Sequence, residues 1–169
     1  LFGHSMGGGV AARLLQERPD CAARAVLCSP MLCPQTGRAP HWLALGCARM
    51  LLRRGEREKS PLFSGAYDPN AEFSCSGCTS RARFRAAMDC RAECPAYQTM
   101  GASNRWVYES LALRSRVLSP RACRRVQVPV LVCSAGRDTQ VGLREQRLLA
   151  ARLPQGRLLE FPDEKHELY

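Results

Sequence analysis

The sequence predicts an α/β fold: a parallel sheet flanked by helices, with a helical segment inserted into it. Three observations carry that expectation. Gly3-His-Ser5-Met-Gly7 stands directly before a stretch with helical spacing, which is the order strand, tight turn, helix. Short apolar runs at residues 24–30, 128–135 and 157–161 have the length and aliphatic content of strands buried in a parallel sheet. Between the first two runs, residues 31–120 read as helical patterns interrupted by Pro, Gly and Ser clusters, without a buried strand.

The elements follow in order. Residues 8–18 carry Val10, Leu14 and Leu15 at helical spacing and stop before Pro19. This helix directs the partial positive charge of its N-terminus at Ser5. Residues 24–30 are a strand closed by Pro30, so strand, turn, helix and strand make a βαβ unit. In the inserted segment, residues 41–54 form a helix with Trp42, Leu45, Met50 and Leu52 among its apolar residues, and residues 55–70 are a long turn-rich connection. Residues 80–93 form a second, strongly basic helix. A third is capped by Ser103 or Asn104, and its Trp106, Val107, Leu111, Leu113, Val117 and Leu118 lie within one broad apolar face. Packing onto the main domain and contact with an acyl chain are the two uses such a face has. The sheet resumes at residues 128–135, whose carboxyl end delivers Gly136-Arg-Asp138-Thr139. Residues 143–153 are an amphipathic helix ended by Pro154, and residues 157–161 are a last strand leading to His166. The expected organisation is core at 1–30, helical cap at 31–120 and core again at 121–169.

At 169 residues the chain is long enough for one domain with its own core. Only Leu1 and Phe2 precede Gly3, and the first residue is not Met, so the sequence is expected to be a fragment lacking the earlier strands. No run of 18 apolar residues occurs, and a cytoplasmic or peripheral membrane location is expected. The net charge of +10 fits an anionic lipid surface or an acidic substrate, and equally an arginine-rich composition. Residues 31–120 hold thirteen Lys or Arg against seven Asp or Glu, without a polybasic block or interleaved aromatics, which excludes nucleic acid as a partner. The ten cysteines are an even number, yet several, such as Cys28 and Cys133, fall in apolar strand positions where a reduced thiol acts as a small hydrophobe. Cys75, Cys78, Cys90 and Cys94 form a CxxC and a CxxxC eleven residues apart, a spacing from which a tetrahedral zinc site is built. No other metal or cofactor is expected.

The chemistry open to these positions is nucleophilic. A serine hydroxyl is weak at neutral pH and needs a base, which in turn needs an acid to fix its tautomer. Gly3-x-Ser5-x-Gly7 has the form of a nucleophile elbow, in which side chains at Gly3 and Gly7 would collide with adjacent backbone. Of three histidines, His4 lies inside the elbow and His41 opens a helix of the insert, which leaves His166 as the base able to reach Ser5. Asp138 is the leading acid, and Asp163 and Glu164 are competing carboxylates in the loop of His166 itself. The backbone amide of Met6 supplies one oxyanion donor, and a second comes from an earlier loop. Without that loop the isolated fragment is expected to be inactive.

Gly3-His-Ser-Met-Gly-Gly8, Ala135-Gly-Arg-Asp-Thr139 and His166-Glu-Leu-Tyr169 together resemble the bacterial lysophospholipase and monoacylglycerol lipase branch of the α/β-hydrolases, often labelled serine aminopeptidase-type hydrolases. Thr79-Ser-Arg-Ala-Arg-Phe84, Gln98-Thr-Met-Gly-Ala-Ser103 and Arg105-Trp-Val107 resemble that group's cap helices and their connection. The resemblance implies Ser5 as nucleophile, Asp138 as acid and His166 as base in the hydrolysis of a monoacyl lipid ester, either lysophospholipid or monoacylglycerol. A small-molecule lipid or ester is then the partner, with a peripheral membrane contact. Two other functions stay open: a peptidase or small-ester hydrolase on the same residues, and a non-catalytic chain that binds zinc or a protein partner.

Overall fold

The computed structural model describes residues 1–60, 67–99 and 101–168. Part of the turn-rich connection at 55–70, Met100 of the 98–103 motif and Tyr169 of the closing motif therefore lie outside the described residues. Four parallel strands, β1 (Phe2–His4), β2 (Ala25–Cys28), β3 (Val130–Ala135) and β4 (Gly156–Phe161), lie side by side in chain order. Parallel neighbours need long crossovers. α1 (Ser5–Glu17) crosses from β1 to β2 and α6 (Leu143–Arg152) from β3 to β4. The longest crossover, from β2 to β3, carries α2 (His41–Arg53), α3 (Arg81–Glu93), α4 (Asn104–Val117) and the short α5 (Pro120–Cys123). Because all strands run the same way, the turns after His4, Cys28, Ala135 and Phe161 share one edge of the sheet, where α/β sheets place their ligands.

One face of the sheet holds the core. Leu15 of α1 and Leu149 of α6 surround a small void together with Leu27, Val126 and Val130, so both helices cover the same face. Ala11, Ala12, Leu32, Val117, Leu118, Cys123 and Val132 belong to the same core. The second face is more open than a strand buried on both sides would have it: Val26 and Leu131 are only half-buried, and Phe2 and Leu159 are exposed.

The face α1 buries differs from the one its large apolar residues mark. Val10 and Leu14 point outward, 57% and 38% exposed, while Gly8, Gly9, Ala11, Ala12, Leu15 and Gln16 are buried. A helix that lies close against a sheet selects small side chains on its contact face, and a hydrophobicity pattern undercounts them. The caps fall where Ser and Thr chemistry puts them. Ser80 Oγ accepts from the Arg83 N–H at 3.3 Å, and Ser103 Oγ from the Trp106 N–H at 3.2 Å. Ser103 is thus the cap of α4, and Asn104, its first helical residue, donates its side-chain amide to the Glu56 carbonyl at 2.8 Å. On α4, Leu111, Val117 and Leu118 are buried and Val107 and Leu113 partly so, whereas Trp106 stays 39% exposed. α3 buries none of its residues.

Candidate active site

Ser5 sits where β1 ends and α1 begins, at φ +50°, a left-handed conformation that side-chain-bearing residues adopt only under constraint. The constraint is visible. The Ser5 carbonyl accepts the Met31 N–H at 2.7 Å, tying the turn to the chain just past β2. A Cβ at Gly3 would lie 2.7 Å from the Gly7 carbonyl oxygen, and one at Gly8 2.8 Å from Pro30 Cβ. Gly7, by contrast, has open space beside it, so the crowding predicted for Gly3 and Gly7 falls on Gly3 and Gly8 instead. No side chain caps α1, and its first N–H groups, Met6 among them, have no acceptor within the helix. They are directed at the region around Ser5.

His166 reaches Ser5 from the loop after β4. Its Nε2 is 2.8 Å from Ser5 Oγ and its Nδ1 2.7 Å from Asp138 Oδ2. The imidazole and carboxyl side chains are 4% and 0% exposed, so the pair is out of water. Asp138 is itself fixed, since its other oxygen accepts the Gln140 and Val141 N–H groups at 2.8 and 3.1 Å. An acceptor-only carboxylate held this way leaves Oδ2 for a His166 N–H, which in turn leaves Nε2 unprotonated toward Ser5. The competing carboxylates do not take this place: the Glu164 side chain accepts from Thr79 Oγ1, and Asp163 is exposed. The loops of Asp138 and His166 are joined through Arg137 N–H to the Glu164 carbonyl, 2.9 Å, and Gly136 N–H to the Phe161 carbonyl, 2.8 Å.

Further residues support these three, and two of them, Ser29 and Gln146, carry no signal in the sequence. Ser29, buried at φ +40°, donates its N–H to the Cys133 carbonyl at 2.8 Å and turns the chain back toward Ser5. Gln146 of α6, fully buried, donates to the Pro30 carbonyl at 3.2 Å. His4 places Nε2 3.3 Å from the His166 carbonyl oxygen, with the two rings 4.9 Å apart. Burial pushes the His4 pKa below its ordinary value, against the opposing pull of the His166 carbonyl. Trp106 sets its indole Nε1 3.0 Å from Met6 Sδ, beside the predicted oxyanion donor.

The four cysteines of the predicted zinc set are not brought together. Cys75 and Cys90 are exposed and Cys78 is buried with its thiol directed at the Ser80 carbonyl, 3.3 Å; among the described residues no three metal-ligating side chains converge. All ten cysteines are free thiols. Cys28 and Cys133 face each other in register on β2 and β3, and burial pushes the Cys28 thiol up to about 11, which keeps it protonated and apolar in character. No described helix is long and apolar enough to cross a membrane.

The fold is similar to the structures of a monoacylglycerol lipase from Paleococcus ferrophilus (TM-score 0.70, 24% identity, covering 99% of this chain and 60% of that one), a thermostable carboxyl esterase from Bacillus coagulans (0.70, 17%, 99% and 57%) and a monoglyceride lipase from Saccharomyces cerevisiae (0.70, 15%, 99% and 53%). The chain thus spans less than two thirds of the length of each. Comparison with curated proteins returns no match. The family model described as serine aminopeptidase, S33, matches residues 1–169. With that match along its whole length and a parallel sheet whose strand β1 leads into the tight turn at Ser5, the chain belongs to the serine aminopeptidase S33 family of α/β-hydrolases.

Proposed function

We propose that the chain carries the catalytic residues of a serine hydrolase acting on carboxylic esters of monoacyl lipids, with Ser5 as nucleophile, His166 as base and Asp138 as the acid that orients it. The observation that supports this most directly is the unbroken line Ser5 Oγ, His166, Asp138 Oδ2, with contacts of 2.8 and 2.7 Å. In this reading Ser5 Oγ attacks the ester carbonyl while His166 Nε2 takes its proton. The same proton passes to the leaving alcohol, and a water activated by His166 then frees the fatty acid from the acyl-serine. Asp138 stabilises the imidazolium that forms in each half-reaction without itself becoming protonated. The Met6 N–H, first in line at the start of α1, donates to the developing oxyanion.

An acyl chain as substrate is favoured by the apolar residues near the nucleophile: Met6, 48% exposed, and Trp106 against it, both on the open side of the elbow. Treating residues 31–120 as a cap over this edge, the basic side chains of α3 and its neighbours suit an anionic head group or lipid surface. The deciding experiment compares kcat/KM of the full-length protein on a lysophospholipid and on a neutral monoacylglycerol, with Ser5→Ala as the blank. Preference for the lysophospholipid assigns the basic helices a part in head-group recognition, preference for the neutral lipid removes it, and turnover of peptides alone overturns the ester reading.

A further inference from the structure

Residues 73–79, the stretch containing Cys75-Ser-Gly-Cys78, lie far from the sheet in sequence but are strapped onto the loop that presents His166. Lys165 Nζ donates to the Ser74 carbonyl at 3.0 Å and to the Ser76 carbonyl at 2.9 Å. The Glu167 N–H donates to the Gly77 carbonyl at 2.8 Å, and Thr79 Oγ1 to Glu164 Oε2. Three residues flanking His166 on both sides, 164, 165 and 167, are therefore each bonded to the same short segment. Gly77 packs directly on the histidine: a Cβ added there would come within 3.3 Å of His166 Cβ and 2.5 Å of Gln140 Nε2, on the loop that carries Asp138. The segment is itself anchored. Phe73 lies edge-on to Phe84 of α3 with centroids 5.6 Å apart, under the Arg81 guanidinium at 4.7 Å, and Lys165 Nζ stands 5.8 Å from the same ring.

We infer that residues 74–79 are a positioning strap for His166, with Lys165 as its main fastener and Gly77 as the contact that sets the height of the imidazole over Ser5. The inference rests on the reading of Ser5, His166 and Asp138 as the catalytic groups. Its physical content is geometric. His166 follows β4 on an irregular loop, so the sheet fixes the strand end but not the ring, and the distance to Ser5 Oγ is decided by what holds residues 164–167. A carbonyl pair fits an ammonium because Lys165 carries three donors and can bond both at once. The cleft beside the strap, about 310 Å³ and lined by Glu72, Cys78, Phe84, Arg91, Gln140 and Glu167, leaves the segment room to withdraw once the fastener is lost.

The test uses the full-length protein with Lys165→Met, Lys165→Arg and Gly77→Ala, read by kcat and KM on a p-nitrophenyl ester, by the rate at which a fluorophosphonate labels Ser5, and by Tm. Misplacing a catalytic group by a fraction of an ångström is expected to cost on the order of 10-fold. Lys165→Met should lower kcat and the labelling rate together by about that factor, with KM and Tm little changed, and Lys165→Arg should restore most of it because a guanidinium also spans two carbonyls. Gly77→Ala keeps every hydrogen bond but presses on His166, and should lower kcat by a smaller factor. Wild-type rates in Lys165→Met and Gly77→Ala, or a loss that follows Tm and is not recovered by Arg, overturn the strap while leaving the hydrolase reading intact. Absence of labelling and turnover in the wild type overturns the hydrolase reading and the strap with it.

Discussion

The edge of the sheet that gathers Ser5, Asp138 and His166 and the outer helix α3 are held in opposite ways. At the sheet edge each candidate group is held by specific hydrogen bonds: Ser5 through Met31 N–H, Asp138 through two amides and His166 through Asp138, with Gly3 and Gly8 where the turn around Ser5 is crowded. Along α3 no residue is buried, four arginines face solvent or an aromatic ring, and Ser80 Oγ caps the start. The difference teaches where this fold concentrates its constraints. Gly3 and Gly8 at the edge have no room for a side chain, whereas α3 bears on the strap through Phe84 and Arg81, which pack on Phe73.

The largest effect should come from the edge. Asp138→Asn is expected to lower kcat on the order of 10⁴-fold with the fold intact, because an amide cannot both accept the Gln140 and Val141 N–H groups and hold His166 in the tautomer Ser5 requires. Steady-state kinetics with a melting curve as control measure this. A variant keeping a tenth of wild-type activity would break the assignment of Asp138 and hand the role to another carboxylate.

Next come the glycines, which sharpen the comparison within a single helix. Gly8→Ala drives a methyl into Pro30, 2.8 Å from its Cβ and 2.9 Å from its Cα, and should destabilise by about 1–3 kcal/mol. Gly7→Ala, one position earlier, meets nothing within 4 Å and should stabilise by up to about 1 kcal/mol through helix propensity. Urea midpoints of the two variants should move in opposite directions, and a matching loss in both would show that Gly7 is crowded after all.

Much of this was legible in the sequence, and the exceptions share a cause. β2, β3 and β4, a cap of α4 at Ser103 or Asn104, and the order Ser5, Asp138, His166 follow from local signals, namely apolar runs, a capping side chain before a helix and motif spacing. What sequence reasoning misplaced depends on partners far along the chain. The buried face of α1 was hidden because Gly8, Gly9, Ala11 and Ala12 score low on hydrophobicity yet are what close approach demands. The CxxC spacing raised zinc, but spacing alone does not bring Cys90 and Cys94 to Cys75 and Cys78. Ser29, Gln146 and Lys165 act through tertiary contacts that no local pattern announces.

A third prediction concerns His4, which belongs to the edge but titrates. Burial lowers its pKa below the ordinary 6.5, so the folded chain takes up its proton at a lower pH than the unfolded chain does. Its contribution to stability is accordingly complete above about pH 6.5 and declines as the pH falls from there toward the lower folded value. The His166 carbonyl and the Glu167 and Asp138 carboxylates favour the charged form of His4, and the His166 ring opposes it. Urea midpoints measured across that range for the wild type and His4→Gln should diverge only on the acid side. Parallel curves would place the acid sensitivity on another group.

The smallest effects should be found on α3, and they distinguish a helix that is merely solvated from one that bears on the site. Arg85→Ala removes an exposed side chain that has no specific partner among the described residues and should change stability by no more than about 0.5 kcal/mol. Arg81→Ala removes the guanidinium 4.7 Å above Phe73, an arrangement worth about 0.5–1 kcal/mol at an exposed site. Because Phe73 also sits near Lys165, loss of Arg81 frees one side of the ring on which the strap rests, so its consequence should appear in kcat as well as in Tm, whereas Arg85→Ala leaves both unchanged. Identical behaviour of the two variants would mean that α3 is indifferent to the geometry around His166, and would confine the constraint to the backbone of residues 74–79.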